Sequence, residues 1–150
     1  MSVVDVSVDI EAPPDEVWKI VADPHNLPGW DRHIAGVKGV PPDGLRPGTQ
    51  YSTEVRFMGV RAHGKAKVLE IRPPEYSKIQ LSGLLDGVVE TWLEALDGGH
   101  RTRLRHRIKY RFKGGPLGEV VARAVGMLGA AAVLRRGVLA QKRQVENSRT

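Results

Sequence analysis

The chain has 150 residues, 41% hydrophobic and 27% charged, with a formal net charge of +6 and no cysteine. That length and balance fit one globular domain over residues 1–150 and exclude a disordered chain. The missing cysteines exclude disulfides, thiolate metal sites and cysteine nucleophiles, and the positive charge favours an acidic partner without saying where it would sit.

The N-terminus MSVVDVSVDIEAP has neither a basic leader nor a long apolar core, so no secretory signal is expected. The longest near-continuous apolar run, Ala124 to Leu134, falls well short of the ~20 residues a membrane span needs. A cytoplasmic location is expected. Val4, Val6, Val8 and Ile10 alternate with Asp5, Ser7, Asp9 and Glu11, which predicts a strand with one buried face. A helix follows: Pro13 or Pro14 suits its first turn, Asp15 and Glu16 complement its dipole, and Val17, Trp18, Ile20 and Val21 form its apolar side. Asp23-Pro24 ends it. A short second helix is expected around Leu27 and Trp30, then a turn-rich loop over 40–48.

Strand patterns fill the next stretch. Tyr51, Thr53, Val55 and Phe57 form one face of the first, and Val60, Ala62, Gly64, Ala66 and Val68 one face of its neighbour. Leu69 and Ile71 break that phase and predict a bulge. Further strands are expected with Ile79 and Leu81 inward, and in VVETWLEAL, 88–96. From 101 to 113 every odd position is basic, while the even positions read Thr102, Leu104, His106, Ile108, Tyr110 and Phe112. Apolar residues then recur at helical spacing from Leu117 to about Glu146, on Leu117, Val121, Ala124, Leu128, Leu134 and Val138, which predicts one long helix. The whole is an α+β domain.

Ala12-Pro13, Asp15-Glu16, Val17-Trp18, Asp23 and Trp30, following an alternating strand and followed much later by an amphipathic helix, resemble the START-like (SRPBCC) superfamily, in particular its bacterial polyketide cyclase/dehydrase and coenzyme-Q-binding branch. The resemblance covers nearly the whole chain. It implies a helix-grip fold: a curved seven-stranded antiparallel sheet around a long C-terminal helix, with two short helices after strand 1. It also implies a cavity for a small hydrophobic ligand, polyketide-, aromatic- or lipid-like. Members of the superfamily include aromatase/cyclases, lipid and quinone carriers, and a ribosome-associated toxin. The fold alone does not fix an activity.

No nucleophile elbow, phosphate loop, dinucleotide fingerprint or metal-binding histidine pair is present, so no cofactor and no metal are expected. If the protein is an enzyme, its candidate catalytic residues are His106 and Tyr110, on the inward face of the last strand. The alternative for His106 is a core histidine held by a hydrogen bond. Candidate ligand-binding residues are Tyr51, Thr53, Thr91, Trp30, Arg32 and Leu128. One group to polarise a carbonyl and one to move a proton would serve cyclisation and dehydration; a few polar groups in an apolar pocket equally describe a binding site. Trp30 either anchors the second short helix or closes the cavity with Arg32 or His33. Tyr76 reads as a rim residue.

In the implied sheet the last strand lies between the first and the preceding one, so its basic residues face Asp5, Asp9, Glu11, Glu90 and Glu94 in a cross-strand ladder, with Trp92 able to stack beneath Arg103 or Arg105. Nucleic acid is therefore not the expected partner. The alternative is an interaction protein whose residual basic surface, around Arg61, Lys65 and Lys67, contacts RNA, the ribosome or an anionic membrane. Monomer and homodimer are both open.

Overall fold

The computed structural model describes residues 2–57, 59–83, 85–112, 119, 122–123 and 129–149. Seven strands form one antiparallel sheet in the order β1-β7-β6-β5-β4-β3-β2. They are β1 (Ser2–Ile10), β2 (Ile34–Lys38), β3 (Gln50–Phe57), β4 (Val60–Arg72), β5 (Tyr76–Ser82), β6 (Leu85–Leu96) and β7 (Arg101–Phe112). Helices α1 (Pro14–Val21) and α2 (Leu27–Trp30) follow β1, separated by a 3-10 turn at Pro24–Asn26, and the long helix α3 (Ala130–Asn147) packs across β1 and against α1 and α2. This is the helix-grip arrangement.

Local chemistry accounts for these elements. On β1 the alternation buries Val6 and Ile10. Pro14 opens α1, Asp15 and Glu16 occupy its first turn, and Val17 is fully buried. The Asp23 carboxylate accepts from the His25 amide at 3.0 Å and starts the next turn. β4 carries the expected irregularity, a register shift against β5 between Val68 and Glu70 that leaves Leu69 exposed.

Two elements differ from the sequence reading. Ile34–Lys38 is a strand, paired to β3, which the residue pattern did not announce. The long helix is not continuous from Leu117: Gly129 has φ 78° and ψ 120°, a conformation glycine accepts readily, and α3 starts at Ala130. Leu128, Gly126 and most of the segment ahead of it lie outside the described residues.

The outer face of the sheet holds the basic residues of β7. Arg103 bonds Asp9 at 2.9 Å, Arg105 bonds Asp5 at 2.9 Å, and Arg101 bonds Glu11 at 2.8 Å and Asp97 at 3.0 Å. The Arg105 guanidinium holds the Asp5 carboxyl below the usual range, and it also lies 4.7 Å from the centroid of the Trp92 ring. Tyr76 is not at a cavity rim. It lies on this outer face, its hydroxyl donating to Glu90 at 2.6 Å, its ring 5.7 Å from Trp92 and capped by Arg72 at 4.6 Å.

Candidate functional site: a cavity between sheet and helix

Between the inner face of the sheet and α3 lies a cavity of about 460 Å³. Strand register orders its lining into rungs. Ser77, Thr91 and His106 are directly opposed across β5, β6 and β7, forming a polar rung. Next to it runs an apolar rung of Val68, Ile79, Val89 and Ile108. The third carries Tyr51, Ala66, Leu81, Gly87 and Tyr110, so the two tyrosines stand at opposite ends of one rung. Same-face residues are ~7 Å apart along a strand, so about 14 Å separates the polar rung from the tyrosines. Below the polar rung Leu93 and Leu104 are packed solid, which makes it the closed end.

At that end the imidazole of His106 is held from both sides. Thr91 Oγ1 lies 2.8 Å from Nδ1 and Gln141 Oε1 lies 2.8 Å from Nε2. A glutamine oxygen only accepts, so Nε2 carries the proton and Nδ1 accepts from the Thr91 hydroxyl. Burial pushes the His106 pKa down from 6.5, opposed only by the bond to Gln141, so the ring is neutral. Gln141 was not found from sequence. Its signal was its place on the buried stripe of α3, where Leu134, Val138, Gln141 and Val145 recur at helical spacing.

Toward the other end, burial pushes the Tyr51 hydroxyl up to about 12, so it is a donor at ordinary pH. Tyr110 meets Phe112 edge-on at 5.4 Å. A Cβ on Gly87 would lie 2.6 Å from the Lys109 carbonyl and 3.2 Å from the Tyr110 Cβ, so only glycine fits there. Helix α2 borders the cavity through Leu27, Trp30 and Asp31. A side-chain chain ties it down: Trp30 Nε1 donates to Gln144 at 2.7 Å, Gln144 Nε2 to Asn26 at 3.0 Å, and Asn26 Nδ2 to the Ile20 carbonyl at 2.9 Å.

The structure thus brings His106, Tyr110, Tyr51, Thr53, Thr91 and Trp30 to one cavity. Arg32 is exposed and does not line it, His33 is turned to Asp31 at 3.0 Å, and Leu128 lies outside the described residues. Among the described residues no acidic, histidine or cysteine cluster could hold a metal, and no helix is long and apolar enough to cross a membrane.

Comparison with known proteins agrees with this architecture. A relative in Mycobacterium tuberculosis, an uncharacterized protein, is 31% identical over 128 residues, covering 83% of this chain and 89% of its own. Among solved structures, the Zhui aromatase/cyclase from Streptomyces sp. R1128 superimposes with a TM-score of 0.76 at 14% identity, covering 99% of this chain and 96% of its own. A START superfamily protein from Mycobacterium smegmatis gives 0.71 at 18% identity, covering 97% and 98%. At such identities these structures share the fold. The profile of one family, described as polyketide cyclase / dehydrase and lipid transport, matches residues 1–146, and the chain belongs to that family.

Proposed function

We propose that this protein binds a small, mostly apolar molecule, polyketide-, aromatic- or lipid-like, in the cavity between the sheet and α3. The observation that carries the reading is the cavity itself. Protein interiors normally close on themselves, yet here Val68, Ile79, Val89, Ile108, Leu134 and Val138 line about 460 Å³ of open volume with only a few polar groups among them. The shared family description, which names both cyclases and lipid transport, supports the same ligand chemistry.

If the bound molecule also reacts, the groups for cyclisation or dehydration are the hydroxyls of Tyr51 and Tyr110, placed to polarise a carbonyl. His106 has both nitrogens engaged, which suits it to holding Thr91 and Gln141 in place rather than to moving a proton. A neutral aromatic such as naphthalene should shift NMR signals of Ile108, Val138 and Tyr110. Shifts confined to outer-face residues such as Val88 would refute the reading. With a reacting substrate, Tyr110→Phe should lower turnover more than affinity if the site is catalytic, and both alike if it only binds.

A second reading rests on the outer face of β4. Arg61, Lys65 and Lys67 are exposed there and stand opposite Arg56, Ser52 and Gln50 of β3, with no acid among those partners. A salt titration against RNA or anionic vesicles tests it, since phosphate contacts weaken steeply with salt. Weak, salt-independent binding would eliminate it.

A further inference from the structure

The closed end of the cavity has unused hydrogen-bonding capacity. With Oε1 engaged at His106, the amide nitrogen of Gln141 has no partner among the described residues. Yet no buried side-chain polar atom of the described residues is left unsatisfied, so this nitrogen opens onto the cavity that Gln141 lines. Gln141 is only 6% exposed and lines the cavity. Thr91 Oγ1, its proton committed to His106, keeps its acceptor lone pairs. Reversing the Gln141 amide would exchange the roles, giving a Thr91 O–H donor and a glutamine carbonyl acceptor, and leave the same pair. His106 bridges them, and the Ser77 hydroxyl stands on the same rung.

Among the described residues the closed end is also without charge. Thr91, His106, Gln141 and Ser77 are its polar groups there, and the acidic and basic residues lining the cavity, Asp31 and Lys65, belong to other parts of it: Asp31 caps α2, and Lys65 is exposed on β4. A buried carboxylate or ammonium would find no counter-charge there. Beyond the floor the strand residues of the lining, Val68, Ile79, Val89 and Ile108, are apolar as far as the tyrosine rung.

We propose that this closed end is a head-group site that seats a neutral hydroxyl of an alcohol, phenol or enol, donating to one member of the Thr91–Gln141 pair and accepting from the other, with the ligand's apolar body pointing toward Tyr51 and Tyr110. The proposal rests on the cavity being a ligand site and adds the ligand's polarity and orientation.

The test is a fluorescence titration of the full chain with pyrene, 1-hydroxypyrene and pyrene-1-carboxylate. Two net hydrogen bonds make 1-hydroxypyrene bind roughly tenfold more tightly than pyrene, with the carboxylate weakest. In Gln141→Met and, independently, Thr91→Val, the hydroxypyrene-to-pyrene affinity ratio falls toward unity. A merely structural role for either residue would change both affinities together and leave the ratio intact. Tightest binding of the carboxylate, or a ratio that survives in both variants, overturns the head-group site while leaving the cavity a ligand site. Failure of all three probes to bind removes the cavity reading and this one with it.

Discussion

The neutrality of the His106 ring has a consequence for stability that can be worked out in advance. In the unfolded chain the imidazole takes up a proton as the pH falls through its ordinary value of 6.5. In the folded protein burial resists that proton, and neither Thr91 nor Gln141 supplies a negative charge to hold it. The unfolded state therefore binds more protons below 6.5, so stability is fully present above that value and is lost as the pH falls. Where the unfolded ring is protonated and the folded ring is not, the loss approaches about 1.4 kcal/mol per pH unit. Neither Asp5 nor Glu146 blurs this window. Arg105 holds Asp5 below its usual 3.8; burial raises Glu146, but the bonds from Lys142 and the Glu11 amide together outweigh it and hold the group below 4.5, so both lose their contributions only at lower pH. The assay is urea unfolding from about pH 7.5 to about pH 5, comparing the native chain with His106→Gln. Whatever the variant's absolute stability, its curve should be flatter against pH. Parallel slopes would show that the folded ring titrates like the free one, and the uncharged floor of the cavity would be refuted with it.

Gly87→Val is expected to cost roughly 1–3 kcal/mol in denaturant unfolding, because its Cβ meets the Lys109 carbonyl and the β6–β7 pair must spread; an unchanged midpoint would show that the strands give freely there. Trp30→Phe removes the donor to Gln144 and should lose about 1 kcal/mol of stability. It should also speed ligand release in stopped-flow measurements, and an unchanged off-rate would mean that α2 does not retain the ligand. Asp5→Asn breaks an exposed ion pair with Arg105, so the midpoint should barely move, and any difference should vanish in high salt. A large, salt-independent loss would show that the outer ladder contributes more to the fold than its exposure implies.

Much of this architecture was legible because each strand puts one kind of chemistry on each face. In β7 the basic residues and their even-numbered neighbours fix the inward side, and the strand order that the family resemblance implies sets the acids of β1 and β6 beside it; Asp9 opposite Arg103 and Glu90 opposite Arg107 agree with that order. Tyr76 could have been placed by the same logic. It shares parity with Lys78 and Gln80 against inward Ile79 and Leu81, but its aromatic character and its place at a strand start drew it toward the cavity rim. β2 was hidden for a different reason: five residues with Gly36 among them, at the sheet edge and paired on one side only, give too short an alternation to register. The interruption at Gly129 lies in an alanine-rich run whose spacing stays helical, so only the backbone reveals it. Gln141 carries a weaker signal, because a lone polar residue on a basic helix is usually solvated, but its spacing from Leu134 and Val138 turns it inward.

These placements separate what stabilises the molecule from what can bind. The continuous core, Val6, Ile10, Ala12, Val17, Leu93, Leu104, Val138 and Val145, gathers where β1, β6 and β7 meet α1 and the later turns of α3. The cavity occupies the other end, where β3, β4 and β5 supply Tyr51, Ala66, Val68 and Ile79 with open space before them. A domain that left such space in its only core would forgo much of the burial that offsets chain entropy. Placing the packed core at one end allows the other to stay open. His106 sits at the border, one inward position from Leu104 on β7, and the Thr91–His106–Gln141 bridge lets a polar cluster end the cavity without leaving a buried group unpaired. The RTRLRHRIKYRF strand therefore divides its work by face and by position. Its arginines carry exposed ion pairs on the outside, Leu104 closes the core within, and from His106 to Phe112 its inward side chains line the cavity.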